Sequence, residues 1–271
     1  MKIYGLTTCV GDEYAAYLKR SLPNWMNGLD ALLVATDKET YGNNFRNIYF
    51  RPYPVFLVTD VFTRYGASFN KGAALSEGFA ALRPDDWVLN FDSDILPPKN
   101  WRGIVEQHLQ PGKLFGSSHR YREDYSLIPD SDFPNVWGFF HLWHISDPHS
   151  WRRPVFDPTC GHAGNYDHSF MLQWPERERF DLWPKLKLTH QGEPRRKWFG
   201  NDPKNERKMM NLFTLGLWDA WQTRAGHIKA PEPQEIVIDG RGIDNVEDIV
   251  AELDRFTCPD PFKYSVKVRT E

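Results

Sequence analysis

Short apolar runs recur along the chain, and most of them break off in polar residues. Residues 2–6, 31–35, 55–58, 87–91, 113–117 and 186–189 read as strands of a buried sheet, with a longer aromatic run over 136–145 bulged at Gly138. Between them lie stretches of helical period. Asp12 is placed as an N-cap with Tyr14, Leu18 and Leu22 on one face, ended at Pro23. Residues 73–82, 100–109 and 166–173 predict further helices, and 119–134 a loop. Strand and helix alternating in this way predict an α/β fold with a central sheet flanked by helices. After residue 203 the pattern changes: a helix over 205–222, a Pro231-Glu232-Pro233 linker, then a strand, helix and strand over 235–238, 245–256 and 264–268. The expected division is a domain over 1–203 and a small α/β extension over 204–271.

One run stands out. Trp87 to Phe91 is apolar, and it stops in Asp92-Ser93-Asp94, followed within three residues by Pro97-Pro98. Proline suits neither a central strand nor a helix interior, so the two carboxylates fall at the carboxyl end of a core strand. Ligands of open α/β sheets bind at that edge. Paired carboxylates repel, and a hard divalent cation is the simplest remedy. Taken alone, Asp-x-Asp is better read as a solvated turn; the apolar strand before it and the proline pair after it favour a strand-end site. No GxGxxG or P-loop follows the first strand, which argues against a nicotinamide enzyme or a P-loop NTPase.

Composition narrows the field modestly. The chain has 271 residues, 41% hydrophobic, with net charge −3 and no global basic field of a dedicated nucleic-acid binder. Cys9, Cys160 and Cys258 are too few and too far apart for a disulfide framework. The start is too short and too polar for a signal peptide, and no apolar run reaches the ~18 residues of a membrane span, so a cytoplasmic protein is expected.

Two further places carry candidate chemistry. Asp167 follows the Gly161-His162-Ala163-Gly164 loop at a helix start; it is either a first-turn carboxylate facing the helix dipole or a general base. His190 closes the strand over 186–189, where it is either structural or a metal ligand, and Arg195-Arg196-Lys197 beyond it is either solvated or a phosphate neighbour. His141, His144, His149, Cys160, His162 and His168 form a rival cluster whose spacing matches no strong zinc pattern.

In order and spacing these pieces resemble the GT-A fold glycosyltransferases, of the broad family 2 type. Thr7-Thr8, the strand closing at Asp37, Asn70-Lys71-Gly72, the Asp92-Ser93-Asp94 element, Asp167 and His190 with Gly192 and Trp198 each match a family position. The resemblance implies a Rossmann-like mixed sheet and metal-dependent sugar transfer from a nucleotide sugar, a UDP-sugar above all. It implies Mn2+ or Mg2+ held by Asp92, Asp94 and His190, and donor contacts from Thr7, Thr8, Asp37, Asn70, Lys71, Asp92, Arg195 and Trp198. Asp167 would be the base of an inverting reaction, with Asp157 as fallback, because the family's Glu-Asp pair is Tyr166-Asp167 here. The acceptor would be a saccharide or a hydroxymethylated DNA base, met by Trp137, Trp143, Trp151 and Arg152. The alternatives are a sugar-nucleotide nucleotidyltransferase and a non-catalytic nucleotide or carbohydrate binding module. The nucleotidyltransferase class would be expected to open with a Gly-rich basic loop after the first strand, which Thr7-Thr8-Cys9-Val10-Gly11 is not.

Overall fold

The computed structural model describes residues 1–46, 54–63, 69–128, 136–151, 156, 166–192, 234–239 and 264–269. The predicted apolar runs form the sheet because both of its faces are covered, which leaves no place for polar alternation. In chain order the elements are β1 (Ile3–Cys9), α1 (Asp12–Met26), β2 (Ala31–Thr36), α2 (Lys38–Thr40), β3 (Val55–Val58), α3 (Lys71–Leu82), β4 (Trp87–Phe91), β5 (Ile95–Leu96) and α4 (Trp101–Glu106). They continue with β6 (Leu114–Gly116), β7 (Arg120–Tyr121), β8 (Leu127–Ile128), β9 (Phe140–His144), α5 (Tyr166–Met171), β10 (Arg179–Asp181), β11 (Thr189–His190), β12 (Gln234–Asp239) and β13 (Tyr264–Arg269).

Among the described residues the main sheet has nine strands in the order β10-β6-β9-β4-β1-β2-β3-β12-β13. Strands β4, β1, β2 and β3 run parallel, whereas β9 lies antiparallel between β4 and β6. The chain leaves β1 to one side for β2 and β3, then returns to the other side for β4. A crevice therefore opens at the carboxyl ends of β1 and β4, where the strand order reverses. A second sheet, β5-β11-β7-β8, stands beyond that edge. The two faces of the main sheet pack separate cores. Leu6, Leu33, Leu57, Val88, Trp143 and Phe170 lie with α3 on one side; Leu22, Trp25, Leu32, Val34, Leu89 and Trp101 lie on the other. Helix α3 comes close because Gly78 has no side chain: a Cβ there would lie 2.7 Å from Leu6 Cδ1.

Several expectations change. Asp12 is the first helical residue rather than the cap, a position held by Gly11, and α1 runs past Pro23 to Met26. The stretch read as a loop contains the hairpin β7–β8, and β10 was not expected. Each of these strands has two or three residues, too few to show an alternation. Strands β12 and β13 match the two predicted tail strands; β12 pairs antiparallel with β3, and β13 pairs parallel with β12 at the sheet edge. The boundary at 203 and the tail helices over 205–222 and 245–256 lie outside the described residues.

The loop carrying the acidic pair is tied down from α1. Trp25 is fully buried, stacks on Phe91 at 4.0 Å, and donates its indole N–H to the Ile95 carbonyl at 3.1 Å. Asn24 donates to the Pro97 carbonyl at 2.7 Å. Truncating a buried Trp of this kind costs about 3–5 kcal/mol. Trp25→Ala is expected to show that loss in urea unfolding; a loss below about 1 kcal/mol would show that the ring does not hold the loop.

His141 makes a second prediction. It is wholly buried on β9, its Nε2 lies 3.0 Å from the Val136 carbonyl, and burial pushes its pKa from 6.5 down to about 4. The unfolded chain therefore takes up a proton that the folded chain refuses between those values. Stability is expected to be full above pH 6.5 and to fall as pH drops toward about 4, by on the order of 3 kcal/mol. The slope of melting temperature against pH should flatten in His141→Gln; an unchanged slope would assign it to other groups.

Candidate active site

The site is assembled where β4 ends. Thr7 on β1 is fully buried and donates its hydroxyl to the Phe91 carbonyl at 2.7 Å, which fixes the last residue before the acidic pair. The chain then turns tightly, with Ile95 N–H donating to the Asp92 carbonyl at 3.1 Å. Beyond the turn it enters β5, which pairs antiparallel with β11, so that His190 lies opposite Ile95. The Gln191 N–H donates to the Asp94 carbonyl at 2.8 Å. The two carboxylates thus emerge at the junction of the two sheets.

Each has a different partner. Lys71, at the first turn of α3 and 7% exposed, bonds its ammonium to Asp92 Oδ1. The same ammonium sits 4.8 Å from the centroid of the Tyr166 ring. Asp94 is met by His190, whose Nε2 lies 3.3 Å from Oδ2. Burial pushes the Asp92 carboxyl up, opposed by Lys71. Burial acts the same way on Asp94, but the hydrogen bond and charge of His190, with Arg120 and Lys71 beyond, bring it below the usual carboxylate range. Lys71 is pushed down by burial and up by Asp92 and Tyr166; the net direction is up, so it stays an ammonium. Two adjacent carboxylates with opposite shifts are the expected outcome of unequal surroundings.

Further groups face the pair. Arg120 on β7 acts on both carboxylates and stacks its guanidinium 4.9 Å from the Phe139 ring centroid. The Tyr14 hydroxyl is pushed up to about 12 by burial and by the charges of Asp94 and Asp92. Tyr14 had been read as a packing residue of α1, Arg120 as part of a loop, and Tyr166 as a departure from a motif. Only the three-dimensional pairing brings them together.

The remaining expected residues divide. Thr8 is buried at the end of β1. The Asp37 side chain accepts from the Thr40 N–H at 2.6 Å as the cap of α2, and Asn70 Oδ1 accepts from the Ala73 N–H at 2.9 Å as the cap of α3. Asp167 begins α5 against Gly138, where a Cβ would lie 2.2 Å from its own; glycine there lets the helix start approach β9. Trp143 is fully buried, with no face for an acceptor, and Trp137 is half-buried against the core. Arg152, Asp157, Arg195, Trp198 and the Trp151 side chain lie outside the described residues. Of the rival cluster, His141 is in the core, His149 pairs with Glu178 at 2.9 Å and His144 with Asp86 at 3.4 Å. No three His, Cys, Asp or Glu side chains among the described residues converge to hold an ion.

No family model and no curated protein matches the chain. Solved structures do. A Bacillus anthracis protein described as a glucose-1-phosphate thymidylyltransferase, in complex with sucrose, is similar at TM-score 0.36 and 12% identity over 52% of this chain and 71% of that one. The inositol-1-phosphate CTP transferase of T. maritima is similar at TM-score 0.42 and 7% identity over 77% of this chain and 95% of that one. This chain's own layout is mixed α/β with a mostly parallel central sheet flanked by helices.

Both proteins are described as nucleotidyltransferases, and neither as a glycosyltransferase. The expectation of sugar transfer to an acceptor hydroxyl finds no counterpart in these descriptions, which correspond to its stated alternative. The likeness to family 2 rested on the order and spacing of several short pieces from Thr7-Thr8 to His190, none of which is specific to one reaction. Among the described residues no helix is long and apolar enough to cross a membrane.

Proposed function

We propose that the chain is a metal-dependent nucleotidyltransferase, joining a nucleotide to a phosphorylated small molecule such as a sugar phosphate. The observation that carries the reading is the charge arrangement at the end of β4: a buried Lys71 and the neighbouring Arg120 beside an acidic pair. Such a site meets anions from both sides. Transfer between phosphates brings together an anionic nucleophile, an anionic donor and an anionic leaving group, and needs positioning and charge neutralisation more than a base.

In this reading a phosphate oxygen of the acceptor attacks the α-phosphorus of a nucleoside triphosphate. The bond from that phosphorus to the bridging oxygen breaks, and pyrophosphate leaves with the electron pair. The ammonium of Lys71 is placed to stabilise the charge that grows on the phosphoryl oxygens, and Arg120 to hold the phosphates from the side of β7. His190 positions Asp94 through the contact to Oδ2. Asp37 and Asn70 act through the helix starts that they cap.

The residues fit Mg2+ or Mn2+. Asp94 Oδ1 is buried without a hydrogen-bond partner among the described residues, and carboxylate oxygen is the donor these ions prefer. Asp92 and Asp94 would hold the ion, which supplies charge neutralisation to the triphosphate and the departing pyrophosphate. A site of two carboxylates leaves room for phosphate oxygens and water, as suits Mg2+.

Pyrophosphate release is the direct test. The purified protein is expected to release it from at least one nucleoside triphosphate paired with one sugar 1-phosphate, in Mg2+ or Mn2+. Asp94→Asn is expected to lower the rate at least about a hundredfold, and EDTA to abolish it. Full turnover in EDTA would remove the metal. A triphosphate that binds by thermal shift but yields no pyrophosphate with any partner would make the chain a binding module.

A further inference from the structure

We propose that Lys71 is a resident counter-ion that keeps the divalent cation off Asp92 until a phosphate ligand arrives. This rests on the nucleotidyl-transfer reading and deepens it by assigning the site an order of binding. Asp92 is the more open of the two carboxylates, with 27% of its side chain exposed against 15% for Asp94, so it is where an arriving cation first has access. Yet its Oδ1 is already taken by the Lys71 ammonium.

That ammonium is not a loose surface charge. It is nearly fully buried, it leans on the Tyr166 ring at 4.8 Å, and its stem comes from the first turn of α3, whose start is capped by Asn70. A dication binding alone has two options, both poor. It can share Asp92 with a fixed positive charge at contact distance, or it can displace Lys71 and leave a buried ammonium without an anion. Asp94 by itself offers one unpartnered oxygen, since the other faces His190. A phosphate changes the balance, because it gives Lys71 a new anion and frees Asp92 for the metal. Cation and phosphate then bind with positive coupling, and the coupling is reciprocal.

The test is Mn2+ binding to the full chain, read from the loss of the free-ion electron paramagnetic resonance signal. Wild type alone is expected to bind weakly. Lys71→Gln keeps a donor for Asp92 but no charge, and Lys71→Met keeps only the stem; both are expected to bind Mn2+ about tenfold more tightly than wild type, a factor worth roughly 1.4 kcal/mol. Lys71→Arg is expected to match wild type. For wild type itself, sulfate as a phosphate stand-in is expected to tighten Mn2+ binding, which needs no variant to fold. If the uncharged variants bind no more tightly than wild type, or sulfate leaves the affinity unchanged, while wild type still releases pyrophosphate, the counter-ion role is overturned and the nucleotidyl-transfer reading stands. If no protein binds Mn2+ and no pyrophosphate is released, both fall.

Discussion

Two carboxylates one residue apart at the mouth of a buried strand repel each other, and the structure answers by giving each its own partner. Lys71 comes to Asp92 from helix α3, and His190 comes to Asp94 from strand β11. The rest of the site serves this separation. Thr7 fixes the strand end, Trp25 and Asn24 fix the loop after it, and Gln191 fixes the Asp94 backbone. With the loop held from three elements, the two side chains differ in environment. This is why burial wins at Asp92 while the His190 contact wins at Asp94.

Much of the fold was legible because its signals are local. A strand buried on both faces shows as an unbroken apolar run, and β3 and β4 have the bounds that their sequences predict. Helix α3 was legible from its spacing of small and large apolar residues. The short strands β7, β8, β10 and β11 were missed or shifted because two or three residues carry no period; only their partners define them. Gly138 was read as a bulge, but its role is to admit Asp167, a contact between residues far apart in sequence.

The site was legible in part for the same reason. Strand ends can be found from sequence, and with them Asp92, Asp94 and His190. Their pairing cannot: sequence names Lys71 only through a family position and not as the partner of Asp92, and Arg120 and Tyr166 lie on two other elements. Candidates chosen by family position also had local tasks that sequence does not reveal: Asp37 and Asn70 cap helices, Thr7 braces a strand end, and Trp143 fills the core. A position that matches a motif and also satisfies a local rule gives the same sequence signal in either case. Sequence alone does not separate glycosyl from nucleotidyl transfer on this ground, since both use the same edge of the same kind of sheet.

The placement of Ser93 has one more consequence. Asp92 is tied to helix α3 through Lys71, and Asp94 to the small sheet through His190 and β11, so this buried serine separates two carboxylates braced by different elements. A ligand that met both acids would touch groups held from helix α3 on one side and from strand β11 on the other.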